Sequence, residues 1–348
     1  MFKHFKESIF VTILGVILAW LWAGHITPSG ELKTLFIVFF LSVLEVTLSF
    51  DNAVVNAAVL DKMTPKWQHR FLTWGILVAV FGIRFLLPVL MVSVFSNNSI
   101  LNTINMAFED VSQYTKYLQD AHLPLVSFGG SFLFMVGLSY FIGKDNEYQW
   151  IKPVEKLLSN IKIKFATPFI ALLVIFTIGC FIPTEFKLTY SIASISGILI
   201  FEIIRFLSEK MENAQKAKMV QNGATGGFMM FMYLETLDAS FSLDGVLGSF
   251  AISKDIVIIT IGLAIGAMFV RSLTLLLVEK KTLQEYVYLV SGAHFAISAL
   301  SIIMFISIFV EVNEIVTGIS GLVFVGTSFI SSLIENKKNP KRHIKQID

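Results

Sequence analysis

The sequence predicts an all-α polytopic membrane protein of about ten transmembrane helices, with two inverted three-helix repeats at its centre. Three observations carry that prediction. The first is composition: of 348 residues, 55% are hydrophobic, 33 are Phe and only 15% are charged, giving a mean hydropathy of +0.74. A globular domain carries roughly 25% charged residues. The second is a set of ten apolar segments, near 8–24, 33–58, 71–95, 124–143, 166–183, 187–207, 225–250, 255–278, 286–310 and 313–334. Spanning a hydrocarbon core takes about 20 residues. The third is an acidic stretch that occurs twice inside those segments.

The elements follow in chain order. The first segment, after Lys3 and Lys6, resembles a secretory leader, but Trp20, Leu21 and Trp22 before Ala23 spoil a small-residue cleavage site. It is expected to remain as the first span, residues 1–30 forming its unit. Pro28-Ser29-Gly30 turns the chain into a first repeat, 31–145, comprising spans two to four. Within it, residues 97–123 place Ala107, Val111, Tyr114 and Leu118 on one face of a surface helix. The unit 146–224 holds an amphipathic helix at 148–164, spans five and six, and a flexible linker over Ser208–Gly227. Apolar Ile151, Val154, Leu157, Leu158 and Ile161 suit that amphipathic helix to a membrane surface. The second repeat, 225–310, comprises spans seven to nine, and 311–348 adds a last span and a basic tail.

The distribution of basic residues fixes an orientation. Alternate loops hold 21 of the 27 Lys and Arg residues, including Lys62, Lys66 and Arg70, Lys152 to Lys164, and Lys337 to Lys345. By the positive-inside rule both termini face the cytoplasm. The single cysteine, Cys180, excludes a disulfide framework or a thiolate metal site and is expected to be inert packing. No basic patch points to nucleic acid, and no nucleophile–base pair, phosphate loop or cofactor motif points to an enzyme. The expected partners are the lipid bilayer and a small cation.

The repeated stretch is the centre of the reading. One copy runs Glu45-Val46-Thr47-Leu48-Ser49-Phe50-Asp51-Asn52, and the other Asp238-Ala239-Ser240-Phe241-Ser242-Leu243-Asp244-Gly245. Each is an acid, five residues and an Asp, with Ser two positions before that Asp. Gly75 and Arg84 lie nine apart in the apolar segment after the first copy, and Gly262 and Arg271 lie nine apart after the second. The repeats start five spans apart, an odd number, so they run in opposite directions across the bilayer. Such inverted repeats build many secondary transporters, with the substrate near the midplane. Phe128-Gly129-Gly130 and Ser291-Gly292-Ala293 provide small residues where the third members would pack closely.

Five acids, Glu45, Asp51, Glu235, Asp238 and Asp244, lie deep in spans against two arginines, Arg84 and Arg271. Leaving all seven charged and lipid-facing would cost on the order of 20 kcal/mol. They must face inward, pair, bind a cation or carry protons. The formal charge of −3 calls for a divalent cation with shared protons. A buried acid–arginine network that merely locks the repeats is the competing explanation. Glu45, Ser49, Asn52 and Asn56 share one helical face, from which Asp51 falls about 100° away. An unwound helix at Ser49–Asn52 and at Ser242–Gly245 would let acid, hydroxyl and carbonyl oxygens converge. Oxygen ligands from Glu45, Ser49, Asp51, Asn52, Glu235, Asp238, Ser242 and Asp244 suit a hard cation. In this scheme Glu45 and Asp238 hold the ion, Asp51 and Asp244 face the entrances, and Arg84 and Arg271 occupy the acids after the ion leaves. His294 is expected to pack rather than relay protons, and Glu202 with Arg205 to form a local pair.

Glu45-Val-Thr-Leu-Ser-Phe-Asp51-Asn52-Ala-Val-Val, with Trp74-Gly75-Ile and Arg84, resembles the first half of the TerC integral membrane proteins. Tyr233-Leu-Glu235-Thr-Leu-Asp238-Ala-Ser-Phe-Ser-Leu-Asp244 with Val270-Arg271-Ser272 resembles their second half, and the wording is closest to the DUF475 branch. The resemblance implies the lysine-exporter-like transporter superfamily, a bacterial inner-membrane location, and relatives tied to manganese export and metal homeostasis. Where that family reads Asp-Ser-Val-Pro, this chain has Asp244-Gly245-Val246-Leu247, without the hydroxyl and the proline. The reading expected from sequence is export of a divalent cation, Mn²⁺ first. The alternatives are a membrane scaffold of a metal or tellurite stress complex, or an exporter of another small solute.

Overall fold

A computed structural model describes residues 5–26, 31–61, 63–78, 98–142, 148–163, 165–217, 230–238, 255–279, 285–310 and 314–338. It also describes isolated positions 82, 86, 89, 90, 92, 93, 227, 228, 249, 252, 253 and 312. The described residues form helices and turns without a strand. In chain order the helices are α1 (Lys6–Ile26), α2 (Glu31–Leu48), α3 (Phe50–Leu60), α4 (Pro65–Leu77), α5 (Ile100–Glu109), α6 (Val111–Asp120) and α7 (His122–Phe141). They continue as α8 (Lys152–Ser159), α9 (Ala166–Phe181), α10 (Lys187–Ala217), α11 (Ile256–Glu279), α12 (Leu289–Ser307) and α13 (Glu314–Lys338). Residues 230–238 are also helical, apart from the undescribed backbone around them.

Among the described residues six helices, α1, α7, α10, α11, α12 and α13, are long and apolar enough to cross a membrane. The pair α2–α3 makes a seventh if taken as one bent span. Their outer faces expose Phe10, Leu21, Phe39, Leu199 and Val323, as lipid-facing surfaces do. The chain is a multi-pass membrane protein. Of the remaining expected spans, α9 is a shorter apolar helix, and those near 71–95 and 225–250 lie partly outside the described residues.

Close approach of backbones sets the main pairings. Gly262 and Gly266 of α11 face α2: a Cβ on Gly262 would stand 2.5 Å from Leu41 Cβ, and one on Gly266 2.5 Å from Glu45 Cβ. With small residues four apart, the two helices approach at the range that membrane packing favours. In a second pairing α7 lies on α12, where Ser301 Oγ donates to Gly130 O at 2.9 Å. Both pairings join the first expected repeat to the second. The α1 helix is part of the bundle too, its Ser8 Oγ donating to Met268 O of α11 at 2.8 Å.

Two expectations about connecting segments change, and the helix expected near 148–164 is observed over a shorter range. The surface helix at 97–123 is two helices, because Asp110 leaves helical geometry and caps α6 by accepting from Gln113 N at 3.1 Å. Tyr114 and Ala107 still point inward, against Val89, Val92 and Leu125. Helix α8 buries Glu155 and Ser159 against the protein and leaves Val154 and Leu157 exposed beside Lys152 and Lys156. What holds it is Glu155, buried, whose Oε1 accepts from Trp150 N, Ile151 N and Ser291 Oγ at 2.8–2.9 Å. The expected linker is helical as far as Ala217, since Glu, Lys, Met, Ala and Gln are strong helix formers; residues 218–226 lie outside the described residues. Cys180 sits on the exposed side of α9 and not in packing.

Gly262→Val should lower unfolding stability in detergent by about 1–3 kcal/mol, the usual cost of overpacking. Gly326→Ala, inside α13 where a Cβ meets nothing within 4 Å, should not lower stability and should raise it by up to about 1 kcal/mol, Ala being the better helix former.

Candidate functional site

The first acidic motif straddles a kink. Helix α2 ends at Leu48, Ser49 takes φ −102° and ψ 13°, and α3 begins at Phe50. The axes of Glu31–Leu48 and Asn52–Leu60 differ by 58°. The break is narrower than the sequence suggested. Only Ser49 leaves the helix; Ser49 N donates to Glu45 O at 2.9 Å and Ala53 N to Ser49 O at 3.1 Å, so these carbonyls are engaged in the chain's own ladder. Ser49 Oγ turns back instead and donates to Glu45 Oε1 at 2.9 Å. Glu45 is buried against Gly266 of α11.

Beyond the kink α3 is enclosed on all sides, every residue from Asn52 to Ala57 being buried. A helix so enclosed must direct its polar groups to partners. Asn52 Nδ2 donates to Asp238 Oδ1 at 2.8 Å. This bond joins the two copies of the motif directly.

Glu235 and Asp238, three residues apart on the helical stretch 230–238, face the guanidinium of Arg271. Arg271 Nη2 lies 3.6 Å from Glu235 Oε1 and 3.9 Å from Asp238 Oδ2. Its closer contacts are with α4. Nη2 donates to Gly75 O at 2.6 Å, Nη1 donates to Phe71 O, and the guanidinium carbon stands 4.3 Å over the Phe71 ring. Gly75 is needed for this seat. A Cβ there would lie 2.4 Å from Glu235 Oε1 and 2.6 Å from Arg271 Nη1. Arg271 thus rests between a backbone dock on α4 and two carboxylates, all in a buried setting where a lone charge is costly.

The structure brings together Glu45 with Ser49, and Asn52, Glu235, Asp238 and Arg271, from the residues expected at the site. The Asp51 side chain and all of Arg84, Ser242 and Asp244, with the expected unwinding at Ser242–Gly245, lie outside the described residues. Among the described residues no three His, Cys, Asp or Glu side chains gather closely enough to hold one metal ion. Phe71 and Gly266 were not read as site neighbours in the sequence. A backbone carbonyl and a missing Cβ leave no chemical signature there. His294 packs, as expected: its ring stacks on Tyr140 at 3.8 Å and Nδ1 donates to Val290 O at 2.7 Å. Glu202 and Arg205 form their local pair at 2.8 Å.

A family model described as "Protein of unknown function (DUF475)" matches residues 50–339. The chain belongs to the DUF475 family. No curated protein and no solved structure matches it. The part of this DUF475 chain that the family model covers begins inside the first motif, at Phe50, and takes in the whole of the second. Asn52, Gly75, Glu235, Asp238 and Arg271 therefore lie within it, while Glu45 and Ser49 stand just before.

Removing Arg271 strands two buried acids, and such a loss typically costs 3–5 kcal/mol. Arg271→Ala should thus lower unfolding stability in detergent by roughly that amount. Adding Glu235→Gln should restore part of it, because a neutral amide needs no counter-charge. Equal stability of Arg271→Ala and wild type would show that the acids are neutral at this site.

Proposed function

We propose that this DUF475 protein is a bacterial inner-membrane transporter that exports a divalent metal cation, Mn²⁺ being the ion expected. The observation that carries the reading is the Asn52–Asp238 hydrogen bond within the membrane bundle, beside acids that face one arginine. A structural ion-pair network would match acids to bases. Here the chain holds five span acids against two arginines, and Arg271 meets its carboxylates only loosely while its firm bonds go to carbonyls.

That arrangement suits a guanidinium acting as the empty carrier's internal cation. With the ion absent, Arg271 neutralises Glu235 and Asp238. When the ion arrives, Arg271 withdraws toward Phe71 O and Gly75 O, which already hold it. Glu45, Asn52 and Asp238 then contribute oxygens, Asp51 and Asp244 meet the ion at the two entrances, and Arg84 answers Arg271 in the other half. Pairing of α2 with α11 and of α7 with α12 supports two repeats that interlock, inverted about a common axis, and rock against each other. With both termini in the cytoplasm, α8 lies on the inner surface, its outward apolar face in the headgroup region. The same face is the feature that would serve the second reading, a membrane scaffold for a metal or tellurite stress complex of the TerC kind.

Reconstituted in proteoliposomes, the wild-type protein should move Mn²⁺ down an imposed gradient, and Asp51→Asn and Asp238→Asn should each fall to the rate of empty liposomes. Flux in the variants equal to wild type would remove these acids from the pathway. No flux in wild type with Mn²⁺, Ca²⁺ or Mg²⁺, under pH gradients as well, would favour the scaffold.

A further inference from the structure

Asn56 lies one helical turn beyond Asn52 on α3, and nothing in the acidic repeat singles it out. It is 3% exposed, and its Oδ1 has no hydrogen-bond partner among the described residues. A buried carbonyl oxygen left in that state is uncommon and calls for a water, an ion or a ligand. Such a space exists. A cavity about the size of one water molecule is lined by Asn56, Phe71, Asp238, Val270, Arg271 and Thr274.

The polar walls of this cavity are mostly acceptors. Asn56 presents a carbonyl oxygen and Asp238 a carboxylate. Thr274 has already given its hydroxyl hydrogen to Val270 O, at 2.9 Å, so its oxygen retains only acceptor capacity. The donor groups in the lining are the guanidinium of Arg271 and the amide nitrogen of Asn56. An acceptor-rich pocket closed by a guanidinium is matched by a small hard cation whenever that guanidinium is drawn back.

We propose that Asn56 is a neutral oxygen ligand of a hard divalent cation, forming with Asp238 a seat at which Arg271 stands in for the ion in this structure. The inference rests on the cation-transport reading and adds to it a specific ligand outside the acidic repeat. A neutral ligand at this position has a clear purpose. It supplies an oxygen without raising the negative charge that Arg271 alone must balance when the ion is gone. The amide thereby keeps the empty state tolerable, where a third carboxylate would not.

The test is Mn²⁺ titration of purified wild type, Asn56→Leu, Asn56→Asp and Asp238→Asn in detergent, read by calorimetry and by melting temperature with and without the ion. Leucine has nearly the shape of asparagine without its unsatisfied oxygen. Asn56→Leu should therefore melt at or above the wild-type temperature without metal, yet bind Mn²⁺ at least tenfold more weakly. Asn56→Asp, which keeps an oxygen, should bind within a few fold of wild type or tighter. A purely structural Asn56 would give the opposite pattern: a lower metal-free melting temperature in Asn56→Leu and unchanged Mn²⁺ affinity. That result, with wild type binding and Asp238→Asn not binding, would overturn the role of Asn56 and leave the cation reading standing. Absence of Mn²⁺, Mg²⁺ and Ca²⁺ binding in wild type would overturn both.

Discussion

A guanidinium buried among carboxylates is the constraint on which the rest of this structure depends. Arg271 cannot lose its proton, and in a membrane interior it cannot be left without acceptors. It is held from two sides: hydrogen bonds to the carbonyls of Phe71 and Gly75 on α4, and ion pairs with the carboxylates of Glu235 and Asp238. Helical carbonyls have a second lone pair beyond the one used in the helix ladder, so α4 can serve as a dock without unwinding. Only a glycine at position 75 lets the guanidinium and Glu235 come this close to its backbone. The same helix that carries Arg271 also carries Gly262 and Gly266, against which α2 and Glu45 rest. Helix α11 therefore holds both acidic motifs in place at once.

The kink at Ser49 makes those two tasks compatible. Helix α2 must run along α11 to use the glycine contact, whereas Asn52 and Asn56 must reach Asp238 and the cavity beside Arg271. A straight helix would keep one axis for both. The 58° turn gives α3 its own direction into the middle of the bundle. Ser49 suits the break because its hydroxyl is satisfied by Glu45, so no polar atom is stranded where the helix changes course. Local sequence and tertiary demand agree at that residue.

Away from the site, polar residues act as fasteners within apolar packing. Ser8 ties α1 to α11, Ser301 ties α12 to α7, and Glu155 ties α8 to the start of α12. Each has a short side chain or a compact hydrogen-bond set, which lets helices meet without opening space for water. Glu155 illustrates how the surrounding phase decides which face of an amphipathic helix is buried. In a soluble protein the apolar face of α8 would turn inward. Beside a bilayer the outside is the apolar phase, so Val154 and Leu157 face out and the carboxylate faces in.

The helical class, the membrane setting and the residues of the acidic repeat are determined by the sequence itself. Apolar runs of about twenty residues have one stable solution in lipid, and charged groups inside them must turn toward each other. Glu45, Asn52, Glu235, Asp238 and Arg271 were all legible on that ground, and so was the packing role of His294. Which of them meet was decided by tertiary structure. No spacing along the chain tells that Asn52 reaches Asp238, 186 positions away, or that Arg271 settles on the carbonyls of Phe71 and Gly75. Those contacts depend on crossing angles set by missing side chains at Gly75, Gly262 and Gly266, and on a single kink at Ser49. Hydrophobic pattern specifies that a face is buried. The partner it is buried against is chosen by shape.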